Sequence, residues 1–284
     1  MPEVMPPPHI GRVALAVADL ERSVRFYTET IGLTLLERGG GIASLGAPDL
    51  ALLELREQPG ISPVRRATGL YHFALLLPSR ADLGDALEHF VRVRAPIGGF
   101  ADHAVSEAIY LTDPDGHGIE VYRDRPRAEW VYPGGRLKMT TDPIDFDGIL
   151  AARHGDRPVM PAGTMMGHIH LQVADIAATE RFYIDLIGLE PVIRYGPSAT
   201  FLAANGYHHH IGGNTWAGTG LPPAPADAAR LLWYEIQQPD EAALDAIAAR
   251  LAAAAHPFER DADGLRVMDP SGIAVLLTAL WTRG

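Results

Sequence analysis

From Ile10 the chain reads IGRVALAVADLERSVRFYTETIGL, and its apolar positions change spacing part-way along. Up to Val17 β-favouring residues run in a strand-like stretch. Beyond it, Leu20, Val24, Tyr27 and Ile31 fall at i, i+4, i+7 and i+11, one face of a helix. Asp19 stands where an N-cap belongs and Gly32 where a helix stops. The pattern predicts a strand followed by a capped helix. It recurs without a gap as MGHIHLQVADIAATERFYIDLIGL from Met166, at an offset of 156, with Asp175 and Gly188 as the cap and the stop. The chain is internally duplicated.

Two further correspondences complete the repeat. HFALLLPSRADLGDALEHF aligns with WYEIQQPDEAALDAIAARL, and DPDGHGIEVY aligns with DPSGIAVLLT. Four similar modules result, at about 9 to 56, 69 to 124, 166 to 214 and 230 to 282, each reading strand, helix, then short strands separated by Gly and Asp turns. One βαβββ unit has too small a core to stand alone, so modules are expected to pair and curl their sheets around a shared cavity. The expected fold is α+β, four βαβββ modules forming two curved-sheet half-barrels. By chain order the domains are 1–125, a linker at 126–165 with a short helix near Ile144 to Ala152, and 166–284.

Composition narrows the function. With 284 residues, 47% hydrophobic and 21% charged, disorder and fibres are set aside. A formal charge of -11 with scattered basic residues argues against nucleic-acid and anionic-membrane surfaces, leaving a small molecule as the expected partner. There is no cysteine, which excludes disulfides, iron–sulfur clusters and thiolate zinc, while twelve histidines keep a His, Asp and Glu metal site open. The N-terminus lacks the basic and apolar regions of a signal peptide, and GIAVLLTALW is too short to span a bilayer, so a cytoplasmic location is expected.

The duplicated βαβββ pattern, with HF opening one strand and DPDGHGIEVY closing the module, resembles the vicinal oxygen chelate superfamily. The run NGYHHHIGGN with IYLTDPDGHGIE resembles its extradiol, catechol 2,3-dioxygenases. In those enzymes two histidines and a glutamate bind Fe(II). The resemblance puts the corresponding positions at Arg12 and His168 on the first strands of modules one and three, His72 and Trp233 in modules two and four, and Glu120 and Leu276 on the closing strands. Neither half of the chain holds a full set. Pairing module two with module three, within a chain or across a dimer, would gather His72, Glu120 and His168 into a facial triad that leaves adjacent positions open. Strand alternation agrees, since Glu120 points opposite to Ile119 and Val121, and His72 opposite to Tyr71 and Phe73.

Within the triple histidine, a strand would turn His208 and His210 to one face and His209 to the other. The resemblance gives His209 the role of general base, Tyr110 that of a hydrogen-bond partner to the substrate oxygen, and His103 that of steadying bound oxygen. His170 is a neighbour of the metal or a fallback ligand, His117 a solvated turn residue, and Arg12 the partner of an acidic group or a surface ion pair. Trp130, Tyr132 and Met139 wall the pocket or pack between domains. The expected activity is extradiol cleavage of a catechol-type aromatic diol by dioxygen with Fe(II), with Mn(II) in place of iron and homo-oligomer formation both open. Two alternatives stand beside it, a glyoxalase-type metal lyase or isomerase and a non-catalytic aromatic-ligand-binding protein.

Overall fold

The computed structural model describes residues 7–64, 66–155 and 158–280. Residues 281 and 282, assigned by sequence to the fourth module, and 156 and 157 of the linker lie outside the described residues. The first helix begins as expected: the Asp19 side chain accepts the Arg22 backbone N–H at 2.9 Å, and Gly32 closes the helix at φ 91. Asp175 and Gly188 repeat both devices. Leu20, Val24, Tyr27 and Ile31 are all buried. The last turns, Phe26–Ile31 and Arg181–Ile187, are wound as π-helix.

The strands form two sheets, and each sheet takes one module from either half of the chain. The eight-stranded sheet runs Glu190–Tyr195, Ala199–Ala203, Ile211–Asn214, Met165–Gln172, Gly69–Leu76, Gly118–Asp124, Ser106–Thr112, Ile97–Asp102, which is module three followed by module two. The nine-stranded sheet is built around Ala228–Gln238 and His9–Val17, from modules four and one with the short strand Ser62–Pro63 added. The two first strands of a pair always lie side by side and antiparallel at the centre. Strands of 1–125 therefore do not share a sheet with one another across modules one and two.

Alternation sorts the faces. Phe73, Leu75, Ile119, Val121, Ile169 and Leu171 join the main apolar core, and the intervening residues point into the hollow of the sheet. The sheets meet along their central strands His9–Val17 and Met165–Gln172. The linker carries a helix at Phe146–Ala152, capped by Asp145. Among the described residues no helix is long and apolar enough to cross a membrane.

Candidate metal centre and substrate cavity

The strands that carry His72 and His168 are not regular, and their irregularities aim the side chains. Where Met165–Gln172 pairs with Gly69–Leu76, Met166 faces Leu75 but His168 faces Ala74, so Gly167 is an extra residue. Further along, His170 faces His72 and Leu171 faces Leu70, which makes Tyr71 the extra residue on the other strand. These are β-bulges, which bend a strand and redirect a side chain. The second one swings Tyr71 onto the cavity rim beside His72, although strict alternation would put it on the opposite face. At the first, only glycine fits: a Cβ on Gly167 would lie 1.8 Å from the Tyr122 hydroxyl.

His72, Glu120 and His168 converge from three adjacent strands. Oε2 of Glu120 lies 3.0 Å from Nε2 of His72 and 3.2 Å from Nε2 of His168. One donor atom from each lies within 4.8 Å of the others, and all three residues are buried. The split set thus closes within one chain. Nε2 of His72 is enclosed and makes no well-aligned hydrogen bond. A buried imidazole nitrogen left this way, facing a carboxylate, is costly unless a cation lies between them. Two imidazoles and one carboxylate fit a divalent first-row metal. Burial works against the Glu120 charge, and the hydrogen-bonding imidazoles beside it favour the carboxylate. Burial is also what pulls His168 down to about 4, so its nitrogens favour the neutral, ligating form.

A cavity of about 690 Å³ opens over this centre. His72, Glu120, His170, His209, Tyr110 and His103 all line it. His209 packs against His168 with ring centroids 4.0 Å apart and planes tilted by 45°, and burial, then His168, pushes its imidazole well below its ordinary pKa. His103 donates from Nδ1 to the Thr140 carbonyl at 2.6 Å, which leaves its Nε2 to accept the Tyr110 hydroxyl at 2.7 Å. Burial, followed by the Glu120 charge, raises Tyr110 well above its usual value. His170 stands beside this set: its Nε2 accepts from the Asn214 amide at 3.1 Å and its ring packs on His72.

Several sequence expectations change here. His208 to His210 are not in a strand but form the irregular approach to Ile211–Asn214, so strict alternation does not govern them. His209 still lines the cavity, while His208 and His210 are turned into the protein. His117 is not a solvated turn residue but is 5% exposed, with Nε2 3.1 Å from the Ala16 carbonyl. Of the linker trio, Met139 lines the cavity; Trp130 packs with Tyr207 in a satellite core, and Tyr132 is exposed. Sequence reading missed Tyr71, Phe100, Tyr195, Phe201 and Trp216, which form the aromatic wall. Only a general signal marks them, aromatic residues in or just after the two modules that carry His72, Glu120 and His168.

In the other sheet Arg12 takes the place of His168, Trp233 that of His72 and Leu276 that of Glu120. The Arg12 guanidinium lies 5.4 Å from the Trp233 ring centre and 3.4 Å from Glu235, a carboxylate at the position of Ala74. An ion pair fills the hollow where the paired sheet has its donors.

Comparison with known proteins agrees with this fold. Residues 9–121 match the family described as Glyoxalase/Bleomycin resistance protein/Dioxygenase superfamily. A curated Bacillus subtilis (strain 168) protein named catechol-2,3-dioxygenase is 44% identical over 268 residues, 92% of this chain and 94% of its own length. The chain belongs to this superfamily. A lactoylglutathione lyase of Escherichia coli O157:H7 is 27% identical over 39% of this chain and 89% of its own. Among solved structures, glyoxalase I from Zea mays superposes with TM-score 0.58 at 16% identity, covering 95% of this chain and 92% of that one. The cppA protein from Streptococcus pneumoniae TIGR4 does so with TM-score 0.56 at 12% identity, covering 96% and 99%. These likenesses show a shared fold.

Proposed function

We propose that the protein is an extradiol dioxygenase that cleaves a catechol-type aromatic diol next to its hydroxyls with dioxygen. The observation that carries this reading is the convergence of two imidazoles and one carboxylate, all buried, at the floor of an aromatic-walled cavity. His72, His168 and Glu120 would hold Fe(II), or Mn(II), whose remaining positions let a chelating diol and dioxygen meet. A cavity with only one carboxylate among its described lining residues offers little to a glyoxalase-type site, which usually has a fourth protein ligand.

The other residues act on the substrate. His209 accepts a hydroxyl proton at the cavity face of its ring. Tyr110, whose own proton is committed to His103, turns oxygen lone pairs towards the cavity and accepts from the substrate. Tyr71 and Trp216, with ring centroids 5.3 Å apart, offer an edge-to-face wall for a flat ring.

The cavity lining contains no Lys or Arg among the described residues. A substrate carboxylate would lose water there without gaining a counter-ion, so the fitting diols are uncharged. The test is to purify the protein without oxygen, load it with Fe(II), and add catechol and air. Yellow semialdehyde that disappears in His209→Ala and Glu120→Ala supports the reading. Stoichiometric metal with no product on any catechol turns it towards a lyase, and no metal uptake towards a binding protein.

A further inference from the structure

Asp124 ends the strand that carries Glu120, and its carboxylate faces a separate cleft of about 1090 Å³ rather than the substrate cavity. Its Oδ1 lies 2.8 Å from Nε2 of His208, and its Oδ2 accepts the Tyr207 hydroxyl at 2.8 Å. The Tyr122 hydroxyl stands 2.8 Å from that of Tyr207, whose proton is already committed to the carboxylate, so Tyr122 donates. Nδ1 of His208 lies 2.8 Å from Nδ1 of His209. His208 is 1% exposed and borders neither cavity. The result is a continuous chain, Asp124 to His208 to His209, ending at the wall of the substrate cavity.

Hydrogen-bond bookkeeping gives the chain a direction. A carboxylate oxygen can only accept, so the proton of the first bond sits on Nε2 of His208. A neutral imidazole carries one N–H, which leaves Nδ1 of His208 as an acceptor. The second bond then requires a proton on Nδ1 of His209, and Nε2 of His209 is left bare on the ring that lines the cavity. We infer that Asp124 and His208 are positioning residues that hold His209 in its Nδ1–H tautomer, presenting the Nε2 lone pair to the substrate hydroxyl. The inference rests on His209 being the base. Asp124 reaches the substrate only through two imidazoles, so its part is orientation and not contact.

The test uses the Fe(II)-loaded enzyme with His208→Phe, which keeps an aromatic ring but makes neither bond, and Asp124→Asn, whose amide can donate to His208 and reverse the chain. Both are expected to lower kcat on catechol by on the order of 10- to 100-fold, part of what a general base contributes, with KM and iron content nearly unchanged. The decisive readout is a series of increasing acidity, catechol, 4-chlorocatechol and 4-nitrocatechol. Loss of a well-set base matters less as the hydroxyl gives up its proton more easily, so the defect should shrink along the series. An equal loss on all three, or an unchanged kcat, overturns the inference. His209→Ala is run in parallel. If its defect shrinks while those of the other two do not, only the positioning role fails; if its own defect is uniform, the base assignment fails and the positioning role with it.

Discussion

At the scale of single residues, the centre is defined by what its side chains lack. Glu120 has two imidazole nitrogens about 3 Å from one oxygen, and His72 Nε2 has no aligned hydrogen bond although it is sealed from water. Loading a divalent metal should therefore stabilise the fold, by about 2.7 kcal/mol when free metal is 100-fold above its dissociation constant. Thermal melts with and without Fe(II) under anaerobic conditions measure this. In Glu120→Gln the carboxylate charge is gone, so the variant should purify with little iron and show no shift on adding it; a full metal-induced shift would remove Glu120 from the ligand set. The lining makes a second forecast. With no cationic side chain around the described cavity, kcat/KM should be at least about tenfold higher for catechol or 4-methylcatechol than for 3,4-dihydroxybenzoate, since a desolvated, unpaired carboxylate costs several kcal/mol even after relaxation. Equal rates would mean that the acid group stays in water at the mouth.

Elements set those residues at their distances, and the elements show what a sequence can and cannot convey. Gly118 opens the strand of Glu120 so close to its parallel neighbour that a Cβ would lie 2.1 Å from the Tyr71 carbonyl oxygen and 3.1 Å from the His72 Cβ. Gly118→Ala must push the His72 strand away, at about 1–3 kcal/mol of stability, and should also weaken iron retention; urea unfolding and metal analysis report the two losses separately. That His72, Glu120 and His168 come together was legible because a lone polar residue on an apolar strand stands out, and because the repeat frame put complementary gaps in the two halves. The aromatic wall was not. Tyr71 reaches the cavity through a bulge, which breaks the alternation used to assign faces, and Phe201 and Trp216 belong to strands and loops with no polar anomaly. His208 to His210 misled in a similar way, since an irregular segment has no fixed period. His117 looked solvated because its turn is rich in Gly and Asp, yet the turn folds beneath the neighbouring sheet, where the Ala16 carbonyl receives the ring.

Across the whole molecule the four modules close into a ring. Sheets join module two to three and four to one, while two buried tyrosines join the modules that sheets do not: Tyr27 donates to Asp113 at 2.9 Å between modules one and two, and Tyr183 donates to Asp269 at 3.1 Å between modules three and four. Both pairs obey the offset of 156 that defines the duplication. Tyr27→Phe should cost about 1–3 kcal/mol by leaving a buried carboxylate oxygen without its donor, and a urea midpoint equal to wild type would discount this link. Asp269 adds a dependence on pH. Burial raises its carboxyl to about 6, against roughly 3.9 for an unfolded chain. Below pH 4 the group is protonated in both states and has no effect. Between about pH 4 and 6 the unfolded chain has released the proton while the fold still holds it, so stability falls as pH rises; above 6 the deficit stays near 3 kcal/mol. Asp269→Asn keeps an oxygen for the Ser271 and Ile273 N–H groups and an amide for Tyr183, but cannot titrate. Its stability relative to wild type should therefore climb between pH 4 and 6 and level off above, whereas a difference flat across that window would show that the carboxyl is ionised in the fold at no cost.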